Sequence, residues 1–211
     1  TNHMFNWLLF VALFIPAQLL DRLLNLQPLQ TFFSSLNLPL QVLLIMFFTD
    51  LTQYWVHRAF HQVPLLWRFH RIHHSVEVMD WLAGSRLHIF DVLITRSISL
   101  VPMVLLGFSP EAINIYLPIL ALQSVFIHCN LQFEFAALQK IITTPKYHHW
   151  HHTSDPGCID RNFAVSLPIL DLIFGTYYSP PGKWPKQYGS TGPKINPNYF
   201  AHLIAPFRRS T

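Results

Sequence analysis

Apolar residues fall along this chain in long runs rather than in alternation. Four segments, residues 5–20, 38–55, 89–106 and 112–131, are almost wholly apolar. Pro16 interrupts the first; Asp50 is the only charge in the second, Asp91 and Arg96 lie in the third, and the fourth has none. Runs this long suit helices rather than strands, and a full bilayer crossing takes about 20 residues at roughly 1.5 Å rise each. The second and fourth runs therefore predict membrane-spanning helices. The first and third are marginal and predict tilted helices or helices buried within a bundle.

Between the runs the pattern changes. Residues 56–87 are dense in aromatic, basic and histidine side chains, which predicts short helices at a membrane surface. Residues 107–110 read as a compact turn that closes the third and fourth runs into a hairpin. Thr144 then Pro145 reads as an N-cap with proline at the first helical position. That short helix must stop near the Asp-Pro-Gly at 155–157. Pro and Gly recur from residue 180, so residues 180–211 predict an extended tail packed on the cap. The expected fold is all-α: an integral membrane bundle of about four transmembrane or membrane-embedded helices under a histidine-rich helical cap. No linker divides it, so residues 1–211 are expected to form one domain.

Composition strengthens the membrane reading. Of 211 residues, 51% are hydrophobic and only 11% charged, against roughly a quarter charged in a soluble domain. A soluble, unusually apolar helical protein is the alternative. Arg58, Arg68, Arg71, Arg86, Lys140, Lys146, Arg161, Lys183 and Lys186 all lie in the histidine-bearing segments or after them, whereas residues 107–111 hold no base. The positive-inside bias then places the histidines and both termini in the cytoplasm, at a bacterial inner membrane or the endoplasmic reticulum. The net charge of +4 suits anionic headgroups; aromatic residues sit in apolar runs rather than among basic ones, which argues against nucleic acid. Cys129 and Cys158 have no paired spacing and read as free thiols. Residues 5–20 lack the basic flank and cleavage site of a signal peptide.

The chemistry lies in the histidines. His57 and His61 are four apart; His70, His73 and His74 repeat at offsets three and four, as do His148, His151 and His152; His88 and His128 stand alone. Helical residues three and four apart share a face, so each cluster is expected to offer convergent imidazoles from one turn. Structural zinc is satisfied by four ligands. The three clusters alone supply eight, so two ions with four or five nitrogens each is the natural arithmetic. Imidazole also suits zinc, copper and nickel. Asp50, Tyr54, His57 and His61 share one helical stripe, and Asp50 is expected to accept a hydrogen bond from a ligand imidazole, or else to cap or pair with arginine at the interface. His88 reads as a ligand or as a donor supporting one. His128, with Asn130 just after it, reads as a ligand that closes the fourth apolar helix. His149, turned about 100° from His148, is expected to support the site or lie at the surface rather than bind metal. Asp155, Asp160, Arg161 and Asn162 either brace the last cluster or are plain loop residues. Asp171 and the run Gly175-Thr176-Tyr177 are expected to lock the segment that follows it.

Taken together, these motifs resemble the fatty acid hydroxylase / sterol desaturase superfamily. The resemblance rests on Asp50-x-x-x-Tyr54-Trp55-x-His57-Arg58-x-x-His61, His70-x-x-His73-His74-Ser75, Arg86-x-His88, His128-x-Asn130 and Thr144-Pro145-x-x-His148-x-x-His151-His152-Thr153. It closes on Asn162-Phe163, Leu167-Pro168-Ile169, Asp171 and Phe174-Gly175-Thr176-Tyr177, and covers about residues 47–178. It implies a membrane enzyme with two histidine-bound irons at the cytosolic face, using O2 and electrons from a separate donor, cytochrome b5-like or a ferredoxin and reductase. The metal ligands it implies are His57, His61, His70, His73, His74, His128, His148, His151 and His152, with His88 an open tenth. Two departures stand out: Gln132, where some members carry a further histidine, and His149, where many carry a basic residue.

The expected activity is hydroxylation of a C–H bond in a fatty acyl or sterol-type lipid, with desaturation as the variant outcome. Two other classes compete. A zinc-dependent lipid hydrolase or isomerase would work without oxygen or reductant, and a non-catalytic membrane metal-binding protein would make no product.

Overall fold

The computed structural model describes residues 23–135, 137–190, 194–196 and 198–208. The apolar run 5–20 lies outside them. Among the described residues the order is α1 (Gln27–Ser35), α2 (Leu38–Gln62), α3 (Pro64–His70), α4 (Ile89–Leu105), α5 (Pro110–His128), α6 (Pro145–His151), α7 (Ile169–Ile173) and α8 (Tyr199–Ile204). Short 3-10 turns lie at His73–Ser75, Ala83–Ser85 and Ala205–Phe207. No strand occurs among these residues, only an isolated bridge between Thr153 and Tyr188.

Local chemistry sets the helix ends. Asn37 caps α2 by accepting from Leu40 N at 3.1 Å, and Ser109 caps α5 by accepting from Ala112 N at 3.2 Å. α2 continues past the apolar run to Gln62, so His57 and His61 ride on the same helix as Asp50. It stops because Val63, held extended at φ −95° and ψ 114°, precedes Pro64. Thr144 caps α6 by accepting from Tyr147 N, with Pro145 next in line.

α2 packs against α3, α4 and α5, and α5 carries α6. At the end remote from the histidines, Phe33, Ile45, Met103, Phe108, Ala112 and Tyr116 form one apolar cluster. Nearer them, Tyr54, Phe163, Ala164 and Leu170 form a second. Gly107 makes the α4–α5 turn at φ +67°, and a Cβ there would stand 2.5 Å from the Cβ of Gln30. Glycine is therefore required twice over, by backbone and by close approach.

The segment before α2 folds as α1, whose Phe33 is buried. One expectation needs correcting: the tail after residue 180 is not wholly extended, because Asn198 accepts from Phe200 N and starts α8. Of the described helices, Pro110–His128 alone is long and apolar enough to cross a membrane. α4 has 17 residues; α2 has 25 but includes Thr49, Asp50, Gln53, His57, Arg58 and His61.

Candidate metal centre

Nine histidines converge where the inner ends of α2 and α5 meet α3, α6 and the turn at His73–Ser75. They form two groups. His57, His61, His70, His74 and His151 bring one nitrogen each to within 4.8 Å of one another, and so do His73, His128, His148 and His152. In the first group Nε2 of His57 faces Nε2 of His70 at 3.0 Å, and Nε2 of His61 faces that of His74 at 3.1 Å. In the second, Nε2 of His148 stands 2.9 Å from Nε2 of His128 and 3.0 Å from that of His152; His73 meets His128 at 3.4 Å.

These groups do not follow the sequence clusters. Each H-x-x-H-H motif is split: His70 and His74 join the first group and His73 the second, while His151 joins the first and His148 and His152 the second. Adjacent residues project about 100° apart in a helical turn, so neighbours are sent to different centres. The two groups touch where the ring of His74 stacks on His152 at 4.4 Å.

The outward nitrogens explain the inward ones. Nδ1–H of His57 donates to Phe163 O at 2.8 Å, that of His151 to Arg161 O at 2.8 Å and that of His128 to Ser124 O at 2.7 Å. His61 donates to Asp160 at 3.0 Å and His70 to Asp91 at 2.7 Å. A proton fixed on Nδ1 leaves a lone pair on Nε2, aimed inward. Burial first, and then the neighbouring imidazoles, hold His70, His73, His74, His148, His151 and His152 well below the ordinary histidine range, so they are neutral at pH 7. Neutral lone pairs facing each other at about 3 Å repel unless a cation lies among them. Two imidazoles on one ion at about 2.1 Å stand ~3.0–3.4 Å apart at right-angled to tetrahedral geometry, which is the spacing seen here. Among the described residues His151 Nε2 is buried with no hydrogen-bond partner, as a ligand atom would be. Nδ1 of His73, His148 and His152 also has none, so the outward bonds fix the tautomer only of His57, His61, His70, His128 and His151. The donor set fits a pair of metal ions.

The backbone at 161–167 carries two of these hydrogen bonds and is itself clamped. Asp171 accepts from Phe163 N and Ala164 N, both at 2.8 Å, from Thr176 Oγ1 at 2.6 Å and from the Tyr147 hydroxyl. Asn162, at φ +59°, donates to Tyr147 O and Tyr178 O and accepts from Tyr178 N. Asp50 was expected to hold a ligand imidazole or to cap or pair with arginine; instead its oxygens accept from the backbone N–H of Val165, Ser166 and Leu167, at 2.8, 3.1 and 2.6 Å. It acts on His57 only through this segment.

Other residues also differ from expectation. His88 joins neither group: its Nδ1 accepts from Phe90 N at 3.1 Å, capping α4, and its Nε2–H donates to Leu203 O at 3.3 Å. His149 is buried rather than superficial, held between the Tyr188 hydroxyl at 2.8 Å and Cys129 O at 3.2 Å. Tyr54 bonds the Thr176 hydroxyl at 2.9 Å and receives Arg58 at 3.2 Å, touching no metal-facing nitrogen. Asn130 is exposed, and Asp155 accepts from Lys186 N at 3.1 Å. The residue missed is Asp91, the buried partner of His70. Its signal was visible: a carboxylate inside an apolar helix is expensive unless paired.

Two cavities reach the histidines from opposite sides. One of about 130 Å³ runs between α2, α4 and α5 and ends on His57, His70, His73, His128 and His148. The other, about 140 Å³, reaches His61, His74 and His151 past Trp67 and Asp160. A larger surface groove, about 1350 Å³ and lined by Arg86, Lys186 and Lys194 among others, touches none of the nine.

Among the described residues, a helical fold with two all-histidine groups at the head of an interhelical cavity has the donor set of a metal-binding protein. This chain belongs to the fatty acid hydroxylase family, whose sequence profile matches residues 42–176. It is 32% identical over 170 residues to ornithine lipid hydroxylase OlsE of Rhizobium tropici, covering 80% of this chain and 51% of that protein. It is 33% identical over 144 residues to alkylglycerol monooxygenase of Homo sapiens, covering 68% of this chain and 32% of that one. The Danio rerio alkylglycerol monooxygenase is 33% identical over 128 residues, covering 61% and 28%. The chain thus spans about half the length of the first of these relatives and about a third of the others. No solved structure matches it.

Proposed function

We propose that the protein is a membrane-bound diiron oxygenase that hydroxylates a C–H bond of a lipid. One O2, two electrons from a separate donor and two protons would give the alcohol and water. The carrying observation is the pair of all-histidine groups at the head of a cavity running between apolar helices. His57, His61, His70, His74 and His151 would hold one iron, and His73, His128, His148 and His152 the other. Bound there, the irons supply the activation of O2.

The chain's own residues do the rest. Asp91 and the carbonyls of Phe163, Arg161 and Ser124 fix the imidazole tautomers; Asp50 and Asp171 hold the backbone that provides two of those carbonyls. The interhelical cavity orients the lipid against the site, where small errors in position cost large factors in rate. Its walls are helices whose outer faces expose Leu43, Phe47, Val101, Ile115, Leu122 and Val125, as lipid contact requires. In this reading the histidines face the cytoplasm. The names of the relatives, a lipid hydroxylase and a monooxygenase, agree with it.

The deciding experiment is metal content per chain in detergent-purified protein, with iron Mössbauer spectra before and after reduction and exposure to O2, followed by a screen for oxygen-18 incorporation into lipid. About two coupled irons per chain that respond to O2 are expected. His151→Ala and His73→Ala strike different groups, and each should lose metal and turnover together. Zinc alone, with no oxygen response after iron reconstitution, would move the assignment to a hydrolase or a non-catalytic metal-binding protein.

A further inference from the structure

The cavity that ends on the histidines continues away from them between α2, α4 and α5, and its far end is not built like a hydrocarbon channel. Arg96, an exposed residue midway along α4, stands at the open rim of this cavity and makes no hydrogen bond or ion pair to any described residue. Charged side chains kept within membrane helices face cavities and mark substrate paths. Gln53 lies across from it and meets Ser99 Oγ at 3.0 Å; because the Ser99 proton is also offered to Thr95 O at 2.7 Å, at least one Gln53 amide N–H is left without a partner among the described residues. Thr49 is only 2% exposed, and beyond a weak contact with the Tyr116 phenol its hydroxyl has no hydrogen-bond partner among the described residues.

The acidic groups on the same wall are already engaged. Asp50 is taken by three backbone N–H groups and Asp91 by His70. What remains is one cation and a set of idle donors with no idle carboxylate. Thr49 precedes His57 by eight residues on α2, which sets this end ~12 Å from the imidazoles at 1.5 Å per residue.

We propose that Arg96, with Gln53, Thr49 and Tyr116, forms an anion subsite that holds a carboxylate or phosphate group of the lipid, whose aliphatic part extends toward the histidines. That the held lipid is then oxidised rests on the oxygenase reading; the subsite itself does not. A charge-assisted hydrogen bond from Arg96 to such a group should be worth about tenfold or more in affinity.

The test is lipid retention by the full chain, purified in a neutral detergent and stripped of metal. The probes are tritiated oleoyl lysophosphatidate and its neutral counterpart, monooleoylglycerol. The anionic lipid should be retained about tenfold or more over the neutral one. Arg96→Gln should bring that ratio close to one while leaving monooleoylglycerol bound, and Arg96→Lys should keep most of the preference. If Arg96→Gln fails to fold, Gln53→Leu reads the same ratio, which should fall. A wild-type ratio near one, or a ratio unchanged in these variants, overturns the subsite. So does displacement of the lipid by an excess of inorganic phosphate that itself binds in an Arg96-dependent way, since the site would then serve a free anion. Retention is measured without turnover. A clear preference without oxygen-dependent product would therefore sink the oxygenase reading alone, and a flat ratio with normal turnover would sink the subsite alone.

Discussion

At the residue scale, two buried carboxylates that look alike in sequence do different work. Asp91 accepts from a metal-facing imidazole, whereas Asp50 accepts only from backbone. Asp91→Asn should therefore lower metal affinity about 10–100-fold, the usual cost of losing a carboxylate behind a ligand histidine. Asp50→Asn should destabilise the protein by about 1–3 kcal/mol, because an amide group would confront N–H donors, yet leave metal affinity close to normal once folded. Metal titration and thermal unfolding on both variants separate the roles; equal metal loss in the two would refute the distinction. The same residues show what sequence could reveal. Spacing exposed eight of the converging histidines, and His128 was read from its place at the end of the fourth apolar run. Neither could show which carboxylate lay behind which ring, since Asp91 and His70 are 21 positions apart and meet only through packing of α3 on α4. The depressed histidines also set a pH response for the metal-free protein. In the unfolded chain they take up protons near pH 6.5, while His70, His73, His74, His148, His151 and His152 in the fold stay neutral well below that. The unfolded state then binds more protons, so stability falls as pH drops below about 6.5, by up to ~1.4 kcal/mol per pH unit for each such histidine. Melting temperatures of metal-free protein between pH 7.5 and 5 should decline steeply; a flat profile would mean these rings are not buried and neutral.

At the scale of elements, short turns set the position of ligands carried by long helices. The turn Ala83–Ser85 presses Gly84 against α5, where an added Cβ would stand 3.0 Å from Nδ1 of His128 and 3.2 Å from Ser124 Oγ. His128 has no slack on that side, because its Nδ1–H is already donated to Ser124 O. Gly84→Ala should push the ring off its direction and selectively weaken the four-histidine group, lowering bound metal from about two toward about one ion per chain with little change in melting temperature. Gly107→Ala should do the reverse, since its φ of +67° and the 2.5 Å approach to Gln30 lie in the cluster remote from the metal. It should cost stability, on the order of 1–2 kcal/mol or more, and leave metal content intact. The long helices were legible as apolar runs, and α6 as a Thr-Pro cap. The splitting of each H-x-x-H-H motif was not, because spacing keeps the i, i+4 pairs His70–His74 and His148–His152 together but does not show that the adjacent His73 and His151 meet the other group, which only the packing of the helices decides. α1 is placed by tertiary packing, in which Phe33 docks on Phe108 from the far side of the sequence.

At the scale of the whole molecule, the charge distribution and the metal groups share one end. α2 runs toward the histidines, α4 leaves them and α5 returns, so the turn near Gly107 lies at the opposite pole. That pole carries Glu111 and no basic residue between positions 97 and 139, whereas Lys140, Lys146, Arg161, Lys183 and Lys186 gather in the segments around the last histidine motif. At 1.5 Å per residue the 25, 17 and 19 residues of α2, α4 and α5 span ~37, ~25 and ~28 Å, against a hydrocarbon core of about 30 Å. The outer two match or nearly match the length of a crossing, and α4, the shortest, carries the buried Asp91 and the exposed Arg96 on the rim of the cavity. On the proposed membrane-bound reading such a hairpin would either cross the membrane fully or lie within one leaflet, and impermeant thiol labelling tells these apart. With Cys129 and Cys158 replaced by serine, cysteines at the exposed positions Glu111 and Lys183 should react from opposite sides of sealed membrane vesicles, Lys183→Cys from the cytoplasmic side and Glu111→Cys from the other. Reaction of both from the cytoplasmic side would mean that α4 and α5 enter and leave by the same face, and the lipid would then reach the histidines from one leaflet only.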